Sequence, residues 1–175
     1  MATTPALCAK EIRKELKDLF PKTKFSVTSE SYSTGSSVKI SWNDGPTEEQ
    51  IHKVVGKYEY GHFDGQIDMY EYSNSRNDIP QVKYVMTRRE ISDDVYLMVS
   101  KVAQKEYGDL ENIKAPESRE DLGNSFTFGP DYMNWYQLVH RIVYRMDLTN
   151  MKEIIIDPYF QCGGRFEGFK VIRGD

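Results

Sequence analysis

The heptapeptide "HFDGQID", residues 62–68, sets His62, Asp64 and Asp68 close together. One imidazole and two carboxylates are a donor set that a divalent cation accepts. In an extended chain Asp64 and Asp68 can share a face while His62 precedes a turn, so the spacing does not demand one centre. Asp64-Gly65 also suits an Asx-type turn, in which the carboxylate serves nearby backbone. No metal site is expected; these three residues are the ones that would form it. Paired carboxylates for acid–base work lack an identifiable partner. Cys162 in "QCGGRF" lies beside flexible backbone and near Arg165, where a low-pKa thiol is conceivable. A thiol nucleophile needs a base within reach, and none can be assigned. His140, at the edge of an apolar helical stripe, reads as an interfacial histidine, and His52 as a solvated one. "STGSS" and "CGGRFEGF" have neither GxxxxGK[ST] nor GxGxxG spacing, so nucleotide hydrolysis is unsupported and no cofactor is expected. Whether the chain is an enzyme stays open, with the balance against it.

Surface recognition is the stronger theme. Tyr58, Tyr60, Tyr70, Tyr72 and Tyr84 lie on or beside predicted strands, and Arg88-Arg89 ends one of them. Rings on an open sheet can stack single-stranded bases while arginine meets the backbone. Tyr-rich surface equally suits a protein partner, which sheets accept on a free face or edge. Simple cross-strand packing accounts for the same aromatics. A protein partner is the preferred reading, with the strand tyrosines and the "STGSS" loop as contacts; nucleic acid is the alternative.

The elements that must hold these residues follow from periodicity. Thr4 and Pro5 open a helix running to about Phe20, with Cys8, Ile12, Leu16 and Leu19 on its apolar side. Cys8 there packs as a small hydrophobe. "KFSVTS" and "VKISW" alternate, and the Ser/Gly-rich link from Ser31 to Ser37 makes them a hairpin with a long, flexible connection. At "WNDGPTEEQ" a strand turns into a helix. Thr47 and Gln50 have capping-box spacing, Glu48 and Glu49 complement the helix dipole, and Ile51, Val54, Val55 and Tyr58 form one stripe. Trp42, Asp44, Gly45 and Pro46 then complete a well-made corner that needs no ligand. Further strands are expected at Ile67–Tyr72 and at "QVKYVMTRRE". A helix follows with stripe Val95, Met98, Val99 and Val102, and the strongest helix is "GPDYMNWYQLVHRIVYRMDL". "KEIIID" and "FKVIR" read as closing strands. The order α-β-β-α-β-β-α-α-β-β predicts an α+β fold with antiparallel sheets and helices packed on one face. Residues 1–90 read as one α+β domain and 91–175 as a C-terminal extension packed on it as one globular unit.

Bulk properties narrow the class. The 175 residues carry a formal net charge of -4, with 39% hydrophobic and 13% aromatic content. That suffices for one sizeable core or two small ones, and disfavours wholesale phosphate-backbone binding. Mean hydropathy is -0.63. No apolar run nears the roughly 20 residues of a membrane span, so no membrane is expected. Two distant cysteines and no apolar leader core suggest a reducing cytoplasm.

One longer pattern resembles a known family. "KFSV", "SVKISWNDGPT", "VVGKY" and "FDGQID", in that order and spacing, resemble a large polyvalent protein-associated domain of bacteriophages and conjugative elements. The resemblance covers about Leu7 to Tyr72 and extends less closely to Glu90. It implies an accessory role in a mobile genetic element, phage or plasmid, within a bacterial host cell. Such domains are thought to aid establishment or counter host defences. It brings no catalytic residues with it.

Overall fold

Pro5 opens α1 (Pro5–Leu19), and Cys8, Ala9, Ile12 and Leu16 form its buried stripe. Leu19, expected on that stripe, is more than half exposed. A computed structural model describes residues 5–106, 112–125 and 134–149. They belong to two compact units, Met1–Glu90 and Ile91–Asp175. The two strands expected near the C-terminus, and Cys162, lie outside the described residues.

In the first unit β1 (Phe25–Tyr32) pairs antiparallel with β2 (Gly35–Asn43), from Phe25↔Trp42 to Tyr32↔Gly35. The expected flexible connection is therefore only the two residues Ser33 and Thr34. Ser31, Ser36 and Ser37 are ladder partners instead, because small hydroxyl side chains sit readily on a pleat whose backbone bonds are satisfied. Of the "STGSS" segment, Ser33 and Thr34 form a two-residue turn and Gly35, Ser36 and Ser37 belong to β2.

The last strand of this sheet, β5 (Tyr84–Glu90), pairs with β2 in parallel, from Ser37↔Tyr84 to Asn43↔Glu90. The sheet is thus mixed, with order β1-β2-β5. A parallel partner needs a crossover. Between Asn43 and Tyr84 the chain forms α2 (Glu48–Val55), a 3-10 turn at Gly56–Tyr58, and a small antiparallel hairpin of β3 (His62–Asp64) and β4 (Met69–Glu71). The single strand expected at Ile67–Tyr72 is the second arm of this hairpin.

The corner between β2 and α2 explains Trp42. Its indole N–H donates to Pro46 O at 3.0 Å while the ring is buried. Asp44 and Gly45 both have positive φ, 52° and 59°. Their carbonyls accept from Arg89 of β5, at 2.9 Å each, and Asp44 N–H donates to Glu90 O. Thr47 and Gln50 then form the reciprocal capping box. A pocket of about 310 Å³ beside this corner is lined in part by Phe25, Trp42 and Asn43, but the indole N–H is already committed to Pro46.

Alternation sorts the sheet. Val27, Val38, Ile40, Trp42 and Val85 point inward to α1 and α2 and form the core with Ile51, Val55 and Tyr58. Burial pushes the Cys8 thiol up to about 12, which leaves it inert. Thr28, Lys39, Met86 and Arg88 face solvent on the other side. Helices cover one face only, and the class is α+β.

The second unit packs α3 (Asp93–Glu106) against α4 (Trp135–Val143). Val95, Tyr96, Val99 and Ala103 meet Trp135, Leu138, Val139, Ile142 and Met146, with Leu122 from a 3-10 turn. Tyr96 takes the place expected for Met98, which is exposed. Asn134 and Gln137 cap α4 reciprocally. Among the described residues no helix is long and apolar enough to cross a membrane.

Two measurements check this account. A Cβ on Gly45 would lie 2.8 Å from Thr23 Oγ1 at a left-handed backbone angle, so Gly45→Ala should cost about 1–2 kcal/mol in urea unfolding. Gly56, helical and with open space around it, should tolerate alanine or gain up to about 1 kcal/mol. Equal effects at the two sites would contradict the corner geometry. The second concerns Glu59, whose carboxyl burial raises above the usual range, although the Val85 amide opposes this. Its stabilising contribution is full below the unfolded carboxyl pKa, roughly 4.3, and is lost as pH rises through the folded value. Glu59→Gln keeps an acceptor for Val85 and removes the charge. It should raise the melting temperature at pH 8 and do so progressively less towards pH 4.

Candidate interaction surface

The crossover brings four of the five expected tyrosines into one cluster. Tyr60 follows the 3-10 turn, Tyr70 lies on β4, Tyr72 follows it, and Tyr84 begins β5. Tyr60 and Tyr72 stack at 5.6 Å and 9°. Tyr70 meets Tyr60, Tyr72 and Tyr84 edge-on, at 5.9, 5.2 and 5.6 Å. These are the separations that ring quadrupoles favour. Lys83 caps the cluster, its ammonium 5.0 Å from the Tyr70 ring and 5.4 Å from the Tyr84 ring. Tyr70 anchors it: its hydroxyl donates to Lys83 O at 2.7 Å, and burial, then the nearby Glu59, raises its pKa.

Local backbone fixes the cluster in place. The chain at Glu59 bridges to Val82 beside β5, with Tyr60 N–H to Val82 O and Val82 N–H to Tyr58 O. Buried Gln81 donates to the carbonyls of Lys57 and Asn74 and accepts from Arg76 N–H. Asn74 in turn donates to Glu59 O. Gly61 is required by approach: a Cβ there would collide with Glu71 O and the Tyr70 ring. The β3–β4 hairpin therefore sits directly on the tyrosines.

The hairpin's outer residues are apolar and exposed. Tyr72 is 69% exposed and Met69 61%, with Phe63 and Ile67 each more than half exposed. Phe63 faces Tyr70 across the hairpin, so it shares the aromatic face. Nothing in the sequence pattern separated Phe63, Ile67 and Met69 from core residues. They look like strand interior, yet the hairpin is too small to have one.

Other expected residues fall elsewhere. Tyr58 is not on this surface: it is 5% exposed, and its hydroxyl donates to Glu15 of α1 at 2.9 Å, beside the Lys57–Glu15 ion pair. As the last member of the α2 stripe it follows helical rather than strand spacing. Arg89 is the clasp of the corner, and its own amide donates to Glu48. Arg88 is exposed and paired with Glu90. His62, Asp64 and Asp68 do not converge on one centre. Asp64 accepts from Gln66 N–H in the Asx turn, His62 Nδ1 lies 3.0 Å from Ser73 Oγ, and Asp68 holds a left-handed turn position. Among the described residues no three His, Cys, Asp or Glu side chains are grouped to hold a metal ion. His52 meets Thr87 Oγ1 at 2.9 Å, and His140 meets the Tyr96 hydroxyl at 2.8 Å.

No curated protein and no solved structure shows significant similarity to the chain. A family match is present, and its description is large polyvalent protein associated domain 29, over residues 3–97. That span takes in the whole aromatic surface and ends inside α3. It covers more than half of the sequence, and the chain belongs to this family, which is associated with the polyvalent proteins of phages and other mobile elements.

Proposed function

We propose that the first unit is a non-enzymatic protein-interaction module of a mobile genetic element, working in the bacterial host cytoplasm. Its contact surface is the tyrosine cluster with the exposed side of the β3–β4 hairpin. Its partner is a host protein, held by occupancy, and counter-defence is the role this assigns. One observation carries the reading: Tyr72 and, on the same hairpin face, Phe63 stand exposed beside a rigid aromatic base that Tyr70, Lys83 and Gln81 hold in place. Preordered rings lose little side-chain freedom when a partner covers them, which is why tyrosine is frequent in interface centres.

The charges nearby favour protein over nucleic acid. Lys39 pairs with Glu30 at 2.8 Å and Arg88 with Glu90 at 2.9 Å, while Arg89 serves backbone carbonyls. Tyr60 and Tyr72 cover one another's faces, which a base would have to claim. A phosphate chain would find the Lys83 ammonium already over two rings and few free ring faces.

The test is capture from host lysate by tagged full-length chain, followed by reconstitution of the complex from purified components. The paired substitution Phe63→Ser/Tyr72→Ser should weaken the reconstituted complex about thirtyfold, as loss of an interface anchor does. Folding stability should fall by about 1–2 kcal/mol, the cost of the Tyr72 ring's two pairings, which leaves the unit folded. An unchanged affinity, or nucleic acid as the captured species, would contradict the proposal.

A further inference from the structure

The exposed face of α4 presents a different chemistry, in the second unit. Tyr136, His140 and Tyr144 recur at four-residue spacing and so form one row along the helix. Tyr96 of α3 lies below them. Its ring and that of His140 are 7° from parallel with centroids 6.5 Å apart, and Tyr96 Oη is 2.8 Å from His140 Nδ1. Such values describe two rings joined edge to edge by an in-plane hydrogen bond. Tyr136 is near-parallel to both, 5.2 Å from Tyr96 and 5.5 Å from His140, so it lies over the join. One of its faces rests on this floor. The other faces outward, and the residue is 41% exposed. Tyr144 is 52% exposed, its ring tilted by 41° and 6.0 Å from His140.

Beside the ring row stands a charge row. Arg141 on α4 and Arg145 in the turn that follows it are exposed and four residues apart. Among the described residues neither forms an ion pair. Arg119, by contrast, is committed to Asp93. The surface thus differs from the first unit's patch, where Lys83 lies over two rings and Arg88 is paired with Glu90.

We propose that this face of α4 and the turn after it bind single-stranded nucleic acid, a base stacking on Tyr136 and phosphates meeting Arg141 and Arg145. Ring faces recognise unpaired bases of any sequence, and two guanidinium groups complement two phosphates. The hydrogen-bonded floor holds Tyr136 before a base arrives, so little ordering remains to be done. A net charge of -4 repels a polyanion at long range, which makes this a short-range contact of modest affinity. It stands independently of the partner proposed for the first unit.

Fluorescence anisotropy of a labelled single-stranded 20-mer with the full chain tests it. Binding should be micromolar and weaken about tenfold between 50 and 300 mM salt, as two phosphate contacts imply. Arg141→Gln/Arg145→Gln should remove most of that salt dependence. Tyr136→Leu should weaken binding at least about fivefold at every salt concentration, while Tyr136→Phe, which keeps the ring face, should retain it. No binding, equal binding to a blunt duplex, or an arginine variant with unaltered salt dependence would overturn the proposal.

Discussion

The parallel pairing of β2 with β5 is the constraint on which the first unit rests. Parallel neighbours cannot be joined by a tight turn, so the chain leaves the sheet at Asn43 and returns at Tyr84. Everything the surface uses is carried on that excursion: the helix that closes the core, the 3-10 turn that buries Tyr58, and the hairpin that lifts Phe63, Met69 and Tyr72 into solvent. The start of the crossover is tied at one corner to the far end of β5, the strand to which the crossover leads. Arg89 holds the carbonyls of Asp44 and Gly45, and Glu90 O accepts from the Asp44 amide. Charge-assisted bonds to carbonyls that would otherwise point into a left-handed turn set where the strand ends.

This division of labour separates the residues that build from those that remain available. Among the cations of the first unit, Arg13 serves Val27 O, Lys57 serves Glu15, and Lys83 covers two rings. The surface left exposed is aromatic and thioether-rich, with balanced charge, which fits burial against another protein. Each unit carries an ordered aromatic group, but the one on α4 is flanked by arginines. Ring geometry is shared between the two; the setting of the charges distinguishes them.

Much of this was legible from residue patterns. The capping box at Thr47 and Gln50, the buried stripes of α1 and α4, and the alternation Val38-Ile40-Trp42 depend on neighbours within one turn or one pleat, and spacing reports those directly. Parallel pairing of β5 did not show, because a strand's period is the same in either direction. The Ser-rich link misled for a related reason: small polar residues suit a paired strand as well as a loop. Tyr58 and Tyr60 are two positions apart, yet one is core and the other lies in the exposed cluster. The difference is made by Glu15, forty-three residues earlier, which no local pattern reveals. Arg89 likewise reads as a free cation until the corner it clasps is seen.

The most direct measurement is site-specific photocrosslinking in the bacterial host, with benzoylphenylalanine placed at Tyr72 and, separately, at Thr28 on the open face of the sheet. Position 72 should yield one discrete protein-sized adduct that position 28 does not. Equal adducts from both positions, or an adduct at position 72 that nuclease removes, would contradict the assignment of this surface to a protein partner.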